Sequence, residues 1–283
     1  IKKYKLIEKE DKPVVAVSGG KDSLSLWHIL NKTGFACDGV YINLGIGAYS
    51  DRSLEKITKT ANMLGRKVHI FNIFNFFGKG IEGISKVIRR APCSACGMIK
   101  RYVMNRVCID KGYSVLVTGH NLDDEAAALF GNLLYWKEQY LLKKNLVLEG
   151  KKGHLSKKVK PLFLCSEREL AAYAVLNGID YIYEECPLSA DAKSLLYKDI
   201  LNDLERSSPG TKIQFVKGYL KMFIKKRTDE DKTESIFCSK CGYPSYGAKC
   251  SFCNISEKVI AENHFVFEEY LPSILDSRKN IMT

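Results

Sequence analysis

The chain has 283 residues, of which 46% are hydrophobic and 27% charged, as in a soluble globular protein. No apolar run approaches the roughly 18 residues that a membrane span needs, and no signal peptide is visible, so membrane and secretory classes are excluded. The net charge of +12 favours a polyanionic partner. Because the first residue is Ile1, we expect that an upstream segment is missing.

In the first half of the chain, apolar strand-like runs alternate with segments of helical periodicity. Strands are predicted over residues 14–17, 39–43, 67–71 and 114–117, and helices over 24–32 and 54–64. This alternation predicts an α/β fold with a doubly wound parallel sheet. Ligands bind at the carboxyl ends of such strands, so we expect the residues after the first, second and fourth strands to line one pocket.

The second half is predicted to be mainly helical. Helices are expected over 124–136, 167–178, 190–205 and 211–223, with a short strand over 179–183 and a breaker over 207–210. A charged linker over 225–232 separates a compact cysteine unit. The predicted domains are therefore 1–232 and 233–283.

A lysine-rich connection spans residues 143–160. It contains Lys143, Lys144, Lys151, Lys152, Lys157, Lys158 and Lys160, against the single acid Glu149. Such a cluster can neutralise phosphates, which favours nucleic acid, whereas a merely solvated loop is the alternative.

Residues 18–23 read Ser-Gly-Gly-Lys-Asp-Ser between the first predicted strand and a helical segment. The glycines let the backbone turn tightly and approach a ligand. Backbone N–H groups then face an anion together with Lys21, Ser18 and Ser23. The segment predicts a phosphate-binding loop, although it is not a Walker loop.

Two pairs of cysteines near the C-terminus have the spacing of a metal site. Cys238 and Cys241 form one CxxC knuckle, and Cys250 and Cys253 form a second after eight residues. Two knuckles complete a closed tetrahedral site, so we expect structural zinc, with iron or a redox pair as the alternative.

A separate CxxC pair, Cys93 and Cys96, cannot fill a metal site alone. Cys186 follows a predicted strand and is a candidate third ligand. Three thiolates can hold a 4Fe–4S cluster with one open iron, and a persulfide relay is an equal alternative. The remaining Cys37, Cys108 and Cys165 are expected in the core, and the thiol content favours a reducing cytoplasm.

Five segments occur together in the order typical of one family. They are SGGKDS at 18–23, PCSACGMIKR at 92–101, TGHNLDDE at 118–125, CPLSADAKSLLYKDILNDLE at 186–205 and the terminal CxxC pairs. The chain resembles the TtcA/TtuA family of PP-loop tRNA thiolation enzymes. The resemblance implies a PP-loop ATP-binding domain followed by a zinc ribbon.

The resemblance also implies the site residues. ATP binding falls to Ala16, Ser18, Gly19, Gly20, Lys21, Asp22, Ser23, Ile42, Lys100, Gly119 and Asp124. Lys21, Lys100 and Asp124 are the catalytic candidates. Cys93, Cys96 and Cys186 match the ligands of a 4Fe–4S cluster, and Cys238, Cys241, Cys250 and Cys253 match the zinc ligands.

The implied reaction replaces the C2 oxygen of a tRNA uridine, 5-methyluridine at position 54, with sulfur. ATP adenylates that oxygen while Mg²⁺ and Lys21 offset the charge on pyrophosphate, and cluster-bound sulfur then expels AMP. Asp124 either acts on magnesium or a proton, or is only a helix N-terminal acid, and His120 is expected to be structural. A ubiquitin-like thiocarboxylate carrier or inorganic sulfide supplies sulfur in the family, and a homodimer is a further expectation.

One feature departs from the family pattern. TtuA relatives usually carry a second zinc ribbon before the PP-loop domain, and residues 1–6 resemble the segment that follows it, so truncation is expected. The alternatives are a position-34 uridine thiolase, a TtcA-like cytidine thiolase, a PP-loop amide ligase without a cluster, and a non-enzymatic RNA-binding module.

Overall fold

The structure is a computed structural model that describes residues 1–143, 145–189, 193–224, 236–260 and 266–272. Its main sheet has the strand order β5-β6-β4-β1-β2-β3-β9. The strands are β1 (Pro13–Ala16), β2 (Asp38–Asn43), β3 (Val68–Asn72), β4 (Val115–Thr118), β5 (Val147–Leu148), β6 (Lys157–Val159) and β9 (Glu268–Tyr270), and a separate hairpin pairs β7 (Ile236–Phe237) with β8 (Pro244–Ser245). The five central strands are parallel, and β5 and β9 are antiparallel edges.

Helices cover both faces of the sheet. They are α1 (Lys21–Lys32), α2 (Gly47–Leu64), α3 (Ile73–Phe77), α4 (Ile81–Ile88), α5 (Pro92–Lys111), α6 (Leu122–Leu134), α7 (Glu138–Lys143), α8 (Glu167–Leu176), α9 (Lys193–Ser207), α10 (Thr211–Ile224) and α11 (Ser251–Val259). In β1, the adjacent residues Val14 and Val15 are both fully buried but belong to cores on opposite faces. The predicted doubly wound α/β fold is confirmed.

The predicted strand over 179–183 is not formed. This segment is irregular. Its Ile179 N–H donates to the Ala174 carbonyl, Asp180 pairs with Lys56 at 2.8 Å, and the Ile182 N–H donates to the Gly19 carbonyl at 2.9 Å. These bonds do not make a ladder, but the last one places the segment against the loop at 18–23.

The lysine-rich connection contributes β6 to the sheet, which the sequence pattern does not predict because only Val159 in this strand is a buried apolar residue. Lys160 pairs with Glu125 at 2.8 Å, and Lys157 lies 3.6 Å from Asp11. Lys144 lies outside the described residues, as does the side chain of Lys143. Part of this lysine cluster is therefore paired within the protein.

The C-terminal segment returns to the main sheet, because β9 pairs with β3. The predicted linker over 225–232 and the start of the helix predicted from residue 190 lie outside the described residues. No helix in the described ranges combines the length and apolar character needed to cross a membrane.

Candidate active site and metal centres

The segment 18–23 forms a tight loop between β1 and α1, which we call the phosphate loop. Gly19 has φ of +84°, and a Cβ there would lie 2.9 Å from Ser53 Cα, so the position requires glycine. The Ser18 N–H donates to Ser23 Oγ at 3.0 Å, which closes the loop onto the helix. Helix α1 begins at Lys21, which is earlier than predicted. The first amides of a helix lack intrahelical acceptors, so those that follow the phosphate loop can face an anion.

The ends of neighbouring strands meet beside the phosphate loop. Ala16 pairs in register with Thr118, and a Cβ on Gly119 would lie 3.1 Å from Ser23 N. Ile42 ends the buried part of β2, the other neighbour of β1. The predicted nucleotide residues therefore come from adjacent strand ends, although their contact with ATP stays a prediction.

Charged side chains gather around the phosphate loop from three helices. Lys21 Nζ lies 2.9 Å from Glu167 Oε1. Lys198 Nζ lies 2.7 Å from Asp124 Oδ1 and 3.5 Å from Glu167 Oε1. Glu167 and Lys198 are absent from the residues that the sequence predicts for this site, and they connect α8 and α9 to it.

Asp22, in the first turn of α1, has an unsatisfied carboxylate. Its Oδ1 is buried and has no hydrogen-bond partner among the described residues. Burial is the main cause that raises the pKa of Asp22 to about 6. Lys21 opposes this rise, whereas the carboxylates of Glu167 and Asp124 add to it. Such a carboxylate fits a cationic ligand such as Mg²⁺.

Two of the cysteines predicted as cluster ligands, Cys93 and Cys186, lie near the third, Cys96, and we call the three of them the three-cysteine site. Cys93 and Cys96 lie in the first turns of α5, where Pro92 occupies a favoured first helical position. Burial raises the pKa of Cys96, and the nearby Lys100 lowers it, while Cys186 and Cys93 are close enough to raise it further. Cys93 Sγ donates to the Leu188 carbonyl at 3.3 Å.

The spacing of these thiols differs from that of a single-ion site. Among the described residues, only the four C-terminal cysteines have ligand atoms that all lie within 4.8 Å of one another. In a 4Fe–4S cluster each thiolate binds a different iron, so the ligands need not meet at one point. Three thiols of this kind suit the predicted group by their donor chemistry.

The four C-terminal cysteines, here called the ribbon cysteines, fit one tetrahedral ion. Cys241 Sγ and Cys250 Sγ are 3.7 Å apart, close to the ~3.8 Å expected when each Zn–S bond is ~2.3 Å. Burial tends to raise the pKa of Cys238, but backbone N–H groups, led by that of Cys250, lower it to about 6. This favours the thiolate, the form that binds metal, at Cys238, whereas burial raises the pKa of Cys250 to about 11 and also raises the pKa of Cys253.

Comparison with known proteins shows the family of this chain. A family model described as a PP-loop domain matches residues 1–191. The chain is 44% identical to the tRNA-5-methyluridine(54) 2-sulfurtransferase of Thermus thermophilus over 92% of this chain and 80% of the relative. It is also 44% identical to the Pyrococcus horikoshii protein of the same name, over 89% of this chain and 81% of that one.

The chain belongs to the PP-loop family of tRNA sulfurtransferases. A solved structure agrees: the U34-tRNA thiolase NcsA from Methanococcus maripaludis with its [4Fe-4S] cluster has a TM-score of 0.76 and 27% identity. That match covers 93% of this chain and 85% of NcsA.

Asp124 already has a structural role in this PP-loop site. Its backbone N–H donates to Asn121 Oδ1 at 2.9 Å, and its Oδ2 accepts from the Asn121 N–H at 3.2 Å, which caps α6. The other carboxylate oxygen binds Lys198, so a role on magnesium or a proton stays a prediction. His120 bonds Thr118 at 3.0 Å through Nδ1, as a structural residue can.

The ribbon packs against the helix that carries Cys93, Cys96 and Lys100 of the PP-loop site. Phe252 stacks on Tyr102 of α5 with ring centroids 3.8 Å apart and an interplanar angle of 6°. Tyr243 meets the same tyrosine edge-on at 5.2 Å. A ribbon folded around a metal therefore buries aromatic side chains against α5 and helps to fix the position of this helix.

Proposed function

We propose that this chain is an ATP-dependent tRNA uridine 2-sulfurtransferase acting on 5-methyluridine at position 54. The relatives of that name, 44% identical, support the target. One observation carries the chemistry: Ile182, four residues before Cys186, is hydrogen-bonded to Gly19 of the phosphate loop. Four residues span at most about 14 Å, so Cys186 lies within reach of a bound nucleotide.

In the proposed first step, the uridine O2 attacks the α-phosphorus of ATP and pyrophosphate leaves. Lys21 and the amides at the start of α1 bind the phosphates, and Asp22 binds Mg²⁺. Lys198 fixes Asp124 and Glu167 beside Lys21 and so keeps these charges in place. AMP is the leaving group when a sulfur nucleophile adds at C2.

The proposed cluster ligands are Cys93, Cys96 and Cys186. A 4Fe–4S cluster bound by three thiolates supplies an iron with an open position for exogenous sulfur. Lys100, one turn beyond Cys96 on α5, is close enough to lower the pKa of the Cys96 thiol, and its proposed role is to offset negative charge there during the reaction. The ribbon cysteines hold structural zinc.

Three further elements belong to the proposal: a thiocarboxylate carrier or sulfide as donor, a homodimer, and a reducing cytoplasm. The donor follows from the chemistry, because the adenylated base needs a sulfur nucleophile. Adding sulfide or a thiocarboxylate protein to the reconstituted enzyme tests which donor is used.

The experiment uses anaerobically reconstituted protein, ATP, sulfide and tRNA transcripts carrying 5-methyluridine at position 54. Mass spectrometry of the nucleosides should show a 2-thiolated base only when ATP is present. A transcript with cytidine at position 54 is the matched control. Absence of thiolation under all these conditions contradicts the proposal.

Position 34 is the second candidate target, favoured by the fold similarity to the U34-tRNA thiolase. A transcript with cytidine at position 34 and an intact position 54 separates the two. Loss of product from that transcript alone assigns the activity to position 34.

A further inference from the structure

A cleft between α6 and α9 is lined by aromatic and basic side chains that the proposed chemistry does not use. Its volume is about 340 Å³, and its lining includes Gly131, Asn132, Tyr135, Lys137, Lys193 and Tyr197. This is within the size range of small-ligand sites, about 300–1,000 Å³. We call this cleft and the adjoining Trp136 and Tyr140 the aromatic cleft.

The aromatic rings at this cleft are unusually exposed. Trp136 is 82% exposed, Tyr140 66% and Tyr135 55%. Trp136 also has φ of 45°, at the position after the α6 C-cap that usually holds glycine. The N–H groups of Trp136 and Lys137 bond the carbonyls of Leu133 and Asn132, so this helix end is well formed. Neither burial nor backbone preference explains a tryptophan here.

Two lysines lie among these rings. Lys137 Nζ is 5.4 Å from the Tyr135 ring centre and 6.0 Å from that of Tyr140. Lys193 Nζ is also 5.4 Å from the Tyr135 ring and 3.4 Å from its hydroxyl. Among the described residues neither ammonium forms an ion pair with an acid. Both charges thus remain available to an anion.

The floor of the cleft depends on a close helix contact. A Cβ on Gly131 would lie 2.6 Å from a Tyr197 ring atom, so only glycine lets this ring rest against α6. Tyr197 also meets Phe130 edge-on at 5.7 Å. Its ring is therefore held in place before any ligand binds.

The cleft lies on the same two helices as the charged residues of the active site. Asp124 and Tyr135 are eleven residues apart on α6, which is about 16 Å along a helix. On α9, Lys198 contacts Asp124 while Lys193 and Tyr197 line the cleft. A polynucleotide whose target base is at the phosphate loop can reach the cleft with nearby nucleotides.

We propose that the aromatic cleft binds unpaired nucleotides of the RNA substrate, with bases stacked on the exposed rings and phosphates held by Lys137 and Lys193. Stacked rings with interleaved cations are how proteins bind single-stranded nucleic acid, and the net charge of +12 suits a polyanion. Bases in a duplex are already stacked on each other and leave these rings unoccupied. This inference rests on the proposed function, because it names a contact of the same substrate.

Intrinsic fluorescence tests the inference directly, because the chain has two tryptophans and Trp27 is fully buried. The full-length chain is titrated with an unmodified tRNA transcript, a short single-stranded RNA, and the same RNA as a duplex. We expect the transcript and the single strand to quench Trp136 emission and the duplex to leave it unchanged. Binding is measured in parallel by the anisotropy of labelled RNA.

Trp136→Ala should remove the quenching and weaken single-strand binding roughly 5- to 100-fold, the usual effect of losing one base–aromatic stack. Trp136→Phe should retain most of the affinity. Lys137→Gln should reduce the slope of log affinity against log salt by about one. Phe74→Ala and Lys86→Gln, exposed residues on α3 and α4, are matched controls and should bind like the unaltered chain.

RNA binding without a change in Trp136 emission, or unweakened binding by Trp136→Ala, overturns the inference but leaves the proposed function intact. Emission that changes with protein concentration in the absence of RNA also overturns it, because a second copy then occupies the cleft. Quenching by RNA with no ATP-dependent thiolation contradicts the proposed function alone.

Discussion

Helix α5 connects two groups of cysteines: it carries Cys93 and Cys96 of the three-cysteine site, and the ribbon packs against it. The two groups differ in how deeply their thiols are buried and how closely they meet. Three of the four ribbon cysteines are buried, and all four thiols converge within 4.8 Å. Cys93 is exposed, Cys96 and Cys186 are half-buried, and their thiols do not converge on one point among the described residues.

The two groups also differ in whether the polar atoms around them have hydrogen-bond partners. At the phosphate loop and the start of α6, on the side of the molecule that Ile182 ties to the segment leading to Cys186, two buried polar atoms lack partners among the described residues: Asp22 Oδ1 and Asn121 Nδ2. Aromatic rings pack the ribbon against α5 instead. A closed, packed group of thiols serves stability, whereas an open group beside unsatisfied polar atoms is arranged for ligands. Substitutions should therefore reduce stability at the ribbon and activity at the open site.

The largest effect is expected for Cys186→Ser. Activity of the anaerobically reconstituted enzyme should fall by more than the roughly 10- to 100-fold typical of losing a residue that only supports a ligand, because a cluster ligand itself is lost. The free energy of unfolding should change by less than about 1 kcal/mol, since the residue is half-buried. Nucleoside mass spectrometry and denaturant titration measure the two quantities. Cys165→Ser, a half-buried thiol outside both groups, is the control that should stay active.

Cys250→Ser should have the opposite pattern. Loss of one ribbon ligand should release zinc and destabilise the chain by several kcal/mol, because metal binding stabilises a unit too small for its own core. Activity should then fall through the loss of folded protein. Zinc content and the unfolding midpoint are the measurements. An unchanged midpoint would show that the ribbon is not a structural metal site.

Lys198→Met should reduce the rate of thiolation about 10- to 100-fold. The ammonium lies between Asp124 and Glu167, and without it these carboxylates repel each other and Asp22. Because Lys198 also lowers the pKa of Asp22, the acid limb of the rate profile should move to higher pH. Arg206→Met, on the exposed end of α9, should leave both rate and profile unchanged.

The sequence predicts those parts of the molecule that depend on neighbours in the chain. The phosphate loop follows from two glycines after a buried strand, and the ribbon follows from knuckle spacing, both of which are local properties. The parallel sheet follows from alternating patterns. These predictions needed no knowledge of distant contacts.

The missed features depend on such contacts. Glu167 and Lys198 are ordinary charged helix residues until the fold places them beside Lys21 and Asp124. The segment 179–183 has the composition of a strand, but Ile182 bonds to Gly19 in a loop and not to a neighbouring strand, so no ladder forms. Strand β9 pairs with β3 across about 200 residues of sequence, which short apolar patterns do not reveal.

The substitution with a modest effect on stability, Asp22→Asn, sharpens the contrast because it should stabilise the chain while activity is lost. The folded-state pKa of Asp22 is raised from 3.8 to about 6, so the folded state binds this proton more tightly than the unfolded state. The stability that the group contributes is complete below about pH 4 and is lost as pH rises through about 6. Asparagine has no such proton, so its advantage should grow from a few tenths of a kcal/mol at about pH 4 to at most about 3 kcal/mol at pH 8.

Denaturant titrations of both proteins at pH 4, 6 and 8 measure this difference. Asp203→Asn, an exposed acid on α9, should show no comparable trend. An Asp22→Asn chain that is less stable at pH 8 than at pH 4, relative to the unaltered chain, would mean that the carboxylate is satisfied within the protein. The open site would then resemble the ribbon, and the division between a group built for stability and one built for ligands would fail. If the stability advantage of Asp22→Asn grows with pH and thiolation is lost, then Asp22 is a buried carboxylate without a partner in the protein, as expected of a group that binds the cation of ATP.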